Sequence, residues 1–259
     1  MISYCIAVYR PIYARLLISD LCLKTAVPFE ILVWLNVDDR ELENLIAQSQ
    51  AAGYPVKVVG KTPENIGMAA YGELFRNSRF EMITQIDDDV VCVSRGIAEM
   101  AHEIFRRFPA VRQLTSDVWQ DEYTSGAKPD MNAYRLYDDH YRLFQGPIDG
   151  WFSIYHRSIL PMLVEVPREK YLPIGGIVKN QLRRRGLFGL LCTRFRVFHV
   201  IGPAYSSYFE MIDFEINKYR QLGRIEIVSW YENERSLLPA KQILAEKVES
   251  IFRHLDATG

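Results

Sequence analysis

The chain has 259 residues, 49% hydrophobic and 24% charged, enough for one sizeable α/β domain with an ordinary core. Its 31 lysines and arginines nearly balance 32 aspartates and glutamates, a formal net charge of -1, so no global field recruits nucleic acid and none is expected as a partner. Cys5, Cys22, Cys92 and Cys192 lie too far apart for a zinc or C-x-x-C signature and read as reduced core cysteines of a cytoplasmic protein. The amino terminus is too short for a signal sequence, and no apolar run approaches the roughly 20 residues of a spanning helix, so a soluble protein is expected.

From Ser3 to about Val93, short apolar strands alternate with amphipathic stretches, the pattern of βαβ units on a parallel sheet. Strands are predicted at Tyr4–Val8, Glu30–Asn36, Pro55–Val59 and Glu81–Ile86. Between the first two, Leu16, Leu17 and Leu21 keep helical spacing behind Pro11, and between the next two Asp38-x-x-Glu41 has the form of a capping box. Helices are predicted over Asn65–Asn77 and Ile97–Phe108. Trp119 to Gly150 is rich in Asp, Tyr, Gly and Pro without a period and reads as a long functional loop or lid. Beyond it, helices are expected at Ile154–Leu163, Ile177–Arg185, Glu210–Leu222 and Ala240–Leu255, with a strand at Phe195–Val200.

Asp87, Asp88 and Asp89 follow the apolar run 82–86, at the carboxyl end of a predicted strand, where ligands collect in open α/β sheets. Three adjacent carboxylates repel one another, and a hard divalent cation such as Mg²⁺ or Mn²⁺ resolves the conflict. The competing reading is a helix cap or solvated turn, for which Asp is equally suited.

In order along the chain come Ile6-Ala7-Val8-Tyr9-Arg10-Pro11, a second strand ending at Asn36, Asp38 and Asp39, Asn65-Ile66-Gly67-Met68-Ala69-Ala70, the acid triplet, and Gly150-Trp151-Phe152 ahead of His156-Arg157. Together these segments resemble the GT-A glycosyltransferases, most closely the family 2 type, over about residues 2–205. The resemblance implies a Rossmann-like, mostly parallel sheet flanked by helices, with a donor-binding half at 1–110 and an acceptor-binding half at 111–259 in one compact domain. It implies a metal-dependent transferase moving a sugar from a nucleotide-sugar donor to a glycan or lipid-linked glycan, in cell-surface polysaccharide or glycolipid synthesis.

The triplet takes the place of the family's D-x-D motif. Asp89 and Asp87 are the first choices for the metal, with Asp87 also near the ribose; Asp88 points away from its neighbours. His199, at the end of a late strand, completes the metal set or is satisfied by backbone groups. Val8, Tyr9, Arg10, Asn36, Asp38, Asn65, Gly67, Asp87 and Asp88 fall at donor-binding positions, and Gly150 and Trp151 at acceptor-binding ones. The family's D-D-G-S-like stretch reads Asn36-Val37-Asp38-Asp39-Arg40 here, so Asp38 is either a base contact or a helix cap.

The departure from the pattern is the base. Inverting family 2 members usually carry an acid after the acceptor segment, and Gly175-Gly176-Ile177-Val178-Lys179-Asn180-Gln181 has none. Asp149 is the replacement by position, and retention of configuration without a dedicated base stays open. The basic and apolar stretch 183–196 either holds the diphosphate, rests peripherally on the inner face of a membrane, or is a solvated helix end. Two alternatives are a nucleotidyltransferase, opposed by the glycine-free turn Tyr9-Arg10-Pro11-Ile12-Tyr13, and an inactive glycan-binding module.

Overall fold

The computed structural model describes residues 1–124, 128–165 and 174–257; residues 125–127 of the predicted loop, and 166–173 and 258–259 of the acceptor half, lie outside the described residues. The chain opens with β1 (Ile2–Val8), α1 (Pro11–Lys24), β2 (Phe29–Leu35), α2 (Arg40–Ala51), β3 (Val56–Lys61), α3 (Ala70–Asn77) and β4 (Met82–Ile86). Next come β5 (Val90–Val93), α4 (Ile97–Arg107), β6 (Val111–Val118), β7 (Arg135–Asp138), β8 (Leu143–Gln145) and β9 (Phe152–His156). The remainder is α5 (Leu160–Glu165), α6 (Ile174–Arg184), β10 (Phe188–His199), α7 (Pro203–Tyr208), α8 (Ile212–Gln221), α9 (Ile225–Glu234) and α10 (Lys241–Ala257).

All ten strands join one sheet in the order β3-β2-β1-β4-β9-β6-β10-β8-β7, with β5 also on β10. The β3-β2-β1-β4 half is parallel throughout, β9 runs against both β4 and β6, and β6 is parallel to β10. Only β5, β8 and β9 therefore oppose the common direction. Every residue of β4 is buried, as expected for a central strand covered on both faces. Apolar side chains of α1, α2 and α4 fill one face of the sheet, and those of α3, α5 and α6 the other. A third cluster packs α7 and α10 onto Tyr13, β5 and the end of β10.

Several predicted elements differ in detail. Ile154–Leu163 is not one helix: β9 continues to His156 and α5 starts only at Leu160, because the apolar run 152–156 pairs between β4 and β6 instead of coiling. The segment 119–150 is not wholly irregular, since β7 and β8 form an antiparallel hairpin that adds an edge beside β10. Asn65 and Ile66 are outside any helix, Gly67–Ala69 is a short 3-10 turn of helix and α3 begins at Ala70, while β10 starts at Phe188, earlier than Phe195. The cap of α2 is Asp39, whose carboxylate accepts the Leu42 N–H at 2.7 Å, one residue beyond Asp38.

Candidate functional site

The carboxyl ends of β1, β2, β4 and β10 meet at a cleft of about 610 Å³, roofed by α8 and α9. A tight turn, with the Val90 N–H on the Asp87 carbonyl at 3.1 Å, reverses the chain after β4 and distributes the three acids to three neighbours. Asp87 stays beside β9, its N–H donating to the Trp151 carbonyl at 3.0 Å. Asp88 turns back to the end of β1. Asp89 turns to the end of β10, where the Val200 N–H donates to its carbonyl at 2.8 Å.

Asp88 is a clamp. Its carboxylate accepts the N–H groups of Tyr9 (2.5 Å) and Arg10 (2.6 Å) and, from the Arg10 guanidinium, Nε (2.9 Å) and a terminal nitrogen (2.7 Å). Arg10 then reaches Asp89 Oδ2 at 2.5 Å and Glu215 of α8 at 3.1 Å, so one cation holds β1, the acid turn and the roof together. The other oxygen of Asp89 lies 2.8 Å from His199 Nε2.

Burial disfavours the Asp89 charge, yet Arg10 and His199 outweigh it and hold its carboxyl well below the usual range. At Asp87 the balance reverses: burial and the adjacent Asp89 outweigh His199 and Arg10 and push its carboxyl up to about 7. His199 is also buried, but Asp89 holds its proton, raising it above the ordinary imidazole value.

Ligand atoms of Asp87, Asp89 and His199 lie within 4.8 Å of one another, and His199 Nδ1 is buried with no hydrogen-bond partner. Asp87, Asp88, Asp89 and Glu215 carry four negative charges when ionised, against three positive charges on Arg10, Lys218 and protonated His199. The surplus is what a hard divalent cation cancels, and two carboxylates with an imidazole are donors that Mn²⁺ accepts. The residues present therefore fit a metal.

Of the positions singled out in the sequence, Tyr9, Arg10, Asn36, Asn65, Gly67, Asp87, Asp88, Asp149, Gly150, Trp151 and His199 all line the cleft. Asp89 sits behind them, 7% exposed. Val8 is fully buried and contributes only its carbonyl, to the Asn36 N–H at 2.8 Å; Ala7 lines the cleft instead. Asp38 is exposed and pairs with Lys61 at 2.7 Å, outside the lining.

Asn36 is fixed by its acceptor side. Its Oδ1 takes the Ile66 N–H at 3.1 Å and the Thr62 hydroxyl at 3.2 Å, which leaves Nδ2 buried and unpartnered. Asn65 Oδ1 accepts the Gly67 N–H at 2.7 Å, and Gly67 adopts φ 54°, a left-handed turn suited to glycine.

Across the cleft, Asp149 accepts the Gly150 N–H at 2.8 Å, and burial raises its carboxyl pKa. A Cβ on Gly150 would lie 2.0 Å from Gln85 Nε2, and one on Gly175 would lie 2.6 Å from the Asp149 carbonyl carbon. Both glycines thus let the backbone close around Asp149. Trp151 is spent on structure as well as lining: its indole N–H donates to the Ser116 carbonyl at 2.9 Å. His156 accepts the Ser158 N–H and lies away from the cleft.

The roof was not found from the sequence. Lys218, Tyr219, Leu222, Arg224 and Ile227 line the cleft from α8, α9 and their junction, and Glu215 anchors them to Arg10. In the sequence, Glu215 and Lys218 look like an ordinary surface i,i+3 pair. Folded, both are largely buried, and burial first, then Arg10, lowers the Lys218 pKa.

No family model and no curated protein sequence matches the chain. Solved structures do. S. aureus TarS, fragment 1-349, superposes with a TM-score of 0.57 at 11% identity, covering 90% of this chain and 70% of that one. The mannosyltransferase PcManGT from Pyrobaculum calidifontis, solved with GDP-Man and Mn²⁺, gives 0.55 at 12% identity, with 86% and 64% covered. Mannosyl-3-phosphoglycerate synthase from Rubrobacter xylanophilus gives 0.51 at 16% identity, with 86% and 75% covered. These likenesses concern architecture: the chain has the GT-A type of α/β fold, with its cleft at the carboxyl ends of the central strands.

Proposed function

We propose that this protein is a divalent-metal-dependent glycosyltransferase, moving a sugar from a nucleotide-sugar donor onto a glycan or lipid-linked acceptor. The observation that carries the reading is the convergence of Asp87, Asp89 and His199, from two strand ends, on a cleft with surplus negative charge. Asp87, Asp89 and His199 would hold the ion. When bound, a divalent ion supplies Lewis-acid stabilisation of the charge on a departing diphosphate.

The chain's own residues supply the rest. The turns at Tyr9 and Asn65–Gly67 and the side chain of Asn36 bound the part of the cleft nearest β1 and β2, and the Asn36 amide offers a hydrogen-bond donor to a base. Lys218 brings a positive charge from the roof to where a diphosphate is bound. Asp149 faces the cleft beside Gly150 and Trp151 and takes the acceptor proton; its raised pKa suits a general base. Two solved structures of this fold were determined with such donors, PcManGT with GDP-Man and TarS with UDP-GlcNAc. Residues 1–110 form the donor half and 111–259 the acceptor half of this assignment. Four free, buried cysteines agree with a reducing compartment such as the cytoplasm. Among the described residues, no helix is long and apolar enough to cross a membrane.

The test is thermal unfolding with a panel of nucleoside diphosphates, with and without Mn²⁺. A metal-dependent rise in Tm with at least one of them is expected, and no rise with any would sink the donor site.

A further inference from the structure

The cleft has a neighbour on its Asp149 side. A second cavity, of about 420 Å³, is lined by Gln145 and Gly146 of the β8 end, Lys179 and Arg183 of α6, and Leu187–Gly189. It adjoins a third, of about 410 Å³, lined by Asn180, Arg183 and Arg184. Among the described residues no carboxylate lines either one, and Lys179, Arg183, Arg184 and Arg185 form no ion pair. What distinguishes these cations is that they gather around one pair of adjoining cavities, with Arg183 lining both.

The groove is built. Lys179 and Arg183 are one helical turn apart on one face of α6, and Lys179 Nζ is anchored by the Gly146 carbonyl at 2.8 Å. Gly189 is held to a backbone-sized residue, because a Cβ there would lie 2.7 Å from Gln113 Oε1 and 2.8 Å from Ile148 Cδ1. Burial, and then the neighbouring Arg183, lowers the Lys179 pKa.

Its position relates it to the reaction. Gly146 and Asp149 are three positions apart in the chain, so their Cα atoms are at most about 11 Å apart. From the other side, α6 starts with Gly175 packed on the Asp149 backbone, and Arg183 lies about 12 Å further along the helix axis. A chain whose end reaches Asp149 has this groove within two or three sugar lengths.

We propose that the groove formed by Lys179, Arg183 and Arg184 binds negative charges on the acceptor, so that the acceptor is an anionic glycan bearing carboxylates or phosphates. The proposal rests on the transferase reading for the identity of the occupant. A membrane surface is the less suitable occupant. The apolar residues that follow the cations are committed elsewhere: Leu190 and Leu191 are fully buried in β10, with Leu187 and Phe188 half-buried. Among the described residues, no exposed apolar face accompanies the charge, as interfacial binding requires. Gly186, at φ 70°, ends α6 and turns the chain inward, with the Leu187 N–H on the Leu182 carbonyl at 3.0 Å.

The experiment is fluorescence anisotropy on the full chain at physiological ionic strength, with labelled hexagalacturonate, a labelled glycerol-phosphate hexamer and labelled maltohexaose. At least one anionic probe should bind about tenfold or more tighter than the neutral one, and which one does so separates carboxylate from phosphate. The double variant Arg183→Gln, Arg184→Gln should lose about tenfold of that affinity, the sum of two screened ion pairs, and should weaken its salt dependence. Both arginines are exposed, so the variant should fold, and its Tm and its Mn²⁺-nucleoside diphosphate shift should match the wild type. Equal binding of anionic and neutral probes, or an unchanged double variant, overturns the proposal. So does arginine-dependent sedimentation with phosphatidylglycerol vesicles in the absence of anionic-probe binding, which assigns the patch to a membrane. If no nucleoside diphosphate shifts the wild type while arginine-dependent probe binding persists, the anion groove stands and the transferase reading fails.

Discussion

The acid triplet divides its labour, and Asp88→Ala tests that division. In the folded chain the Asp88 carboxylate, 5% exposed, accepts two backbone N–H groups and two guanidinium N–H groups. Removing one partner of a buried pair costs about 3–5 kcal/mol, chiefly because the remaining charge is stranded. Arg10 is not fully stranded, since Asp89 at 2.5 Å and Glu215 at 3.1 Å remain. The two orphaned amides still cost roughly 1–3 kcal/mol each, so a loss near the lower bound, about 3 kcal/mol, is expected. For a chain of this size that lowers Tm by about 6–12 °C. Asp88→Asn keeps one acceptor and should lose about half as much. Urea unfolding in EDTA is the right assay, because it reads the apo protein and excludes any contribution from metal binding. A loss below about 0.5 kcal/mol for Asp88→Ala would refute the clamp, and with it the reason Arg10 stands where it does.

Other outcomes follow from the same geometry. Asp149→Asn should lower turnover about 10²-fold or more while sparing donor binding, and an unchanged rate removes Asp149 as base. Because burial raises the Asp149 pKa and only its ionised form accepts a proton, wild-type activity should fall with decreasing pH already above the ordinary carboxylate range. A flat profile down to that range contradicts this. Asn36→Asp replaces the free Nδ2 donor by an acceptor while keeping Oδ1 for the Ile66 N–H, so it should weaken diphosphates of carbonyl-bearing bases by about tenfold, read by calorimetry. Equal affinity excludes Asn36 as a base contact. Lys218→Met should weaken a nucleoside diphosphate by about 10- to 100-fold and the bare nucleoside hardly at all, and equal effects on both would place Lys218 away from the phosphates.

The parallel half of the fold was legible because its strands are buried on both faces and therefore stand out as apolar runs between amphipathic helices. The same property misled at Phe152–His156, since a short buried run has no period to separate strand from helix. The hairpin of β7 and β8 escaped because its strands are only four and three residues long, too short for an alternation to show. Within the site, Asp87 and His199 were legible as acid and imidazole at strand ends. The roof was not, because Arg10 and Glu215 are 205 residues apart and nothing local marks either as the other's partner. Asp38 and Asp39 show the limit of reading caps from spacing: Asp38 has the acid, Glu41, three residues on, yet it is Asp39, followed at that spacing by Leu42, whose extended backbone at φ -140° lets its carboxylate accept the Leu42 N–H.

The central claim is metal-assisted departure of a nucleoside diphosphate, and its most direct measurement is the release of nucleotide from a panel of nucleotide sugars, resolved by chromatography, with Mn²⁺ or with EDTA. The account predicts that at least one donor yields its nucleoside diphosphate and free or transferred sugar only with metal, and that Asp89→Ala abolishes release without unfolding the protein. Release that is indifferent to EDTA and to Asp89→Ala would contradict it. So would formation of a nucleotide sugar with pyrophosphate from a nucleoside triphosphate and a sugar phosphate, which would make the cleft that of a nucleotidyltransferase.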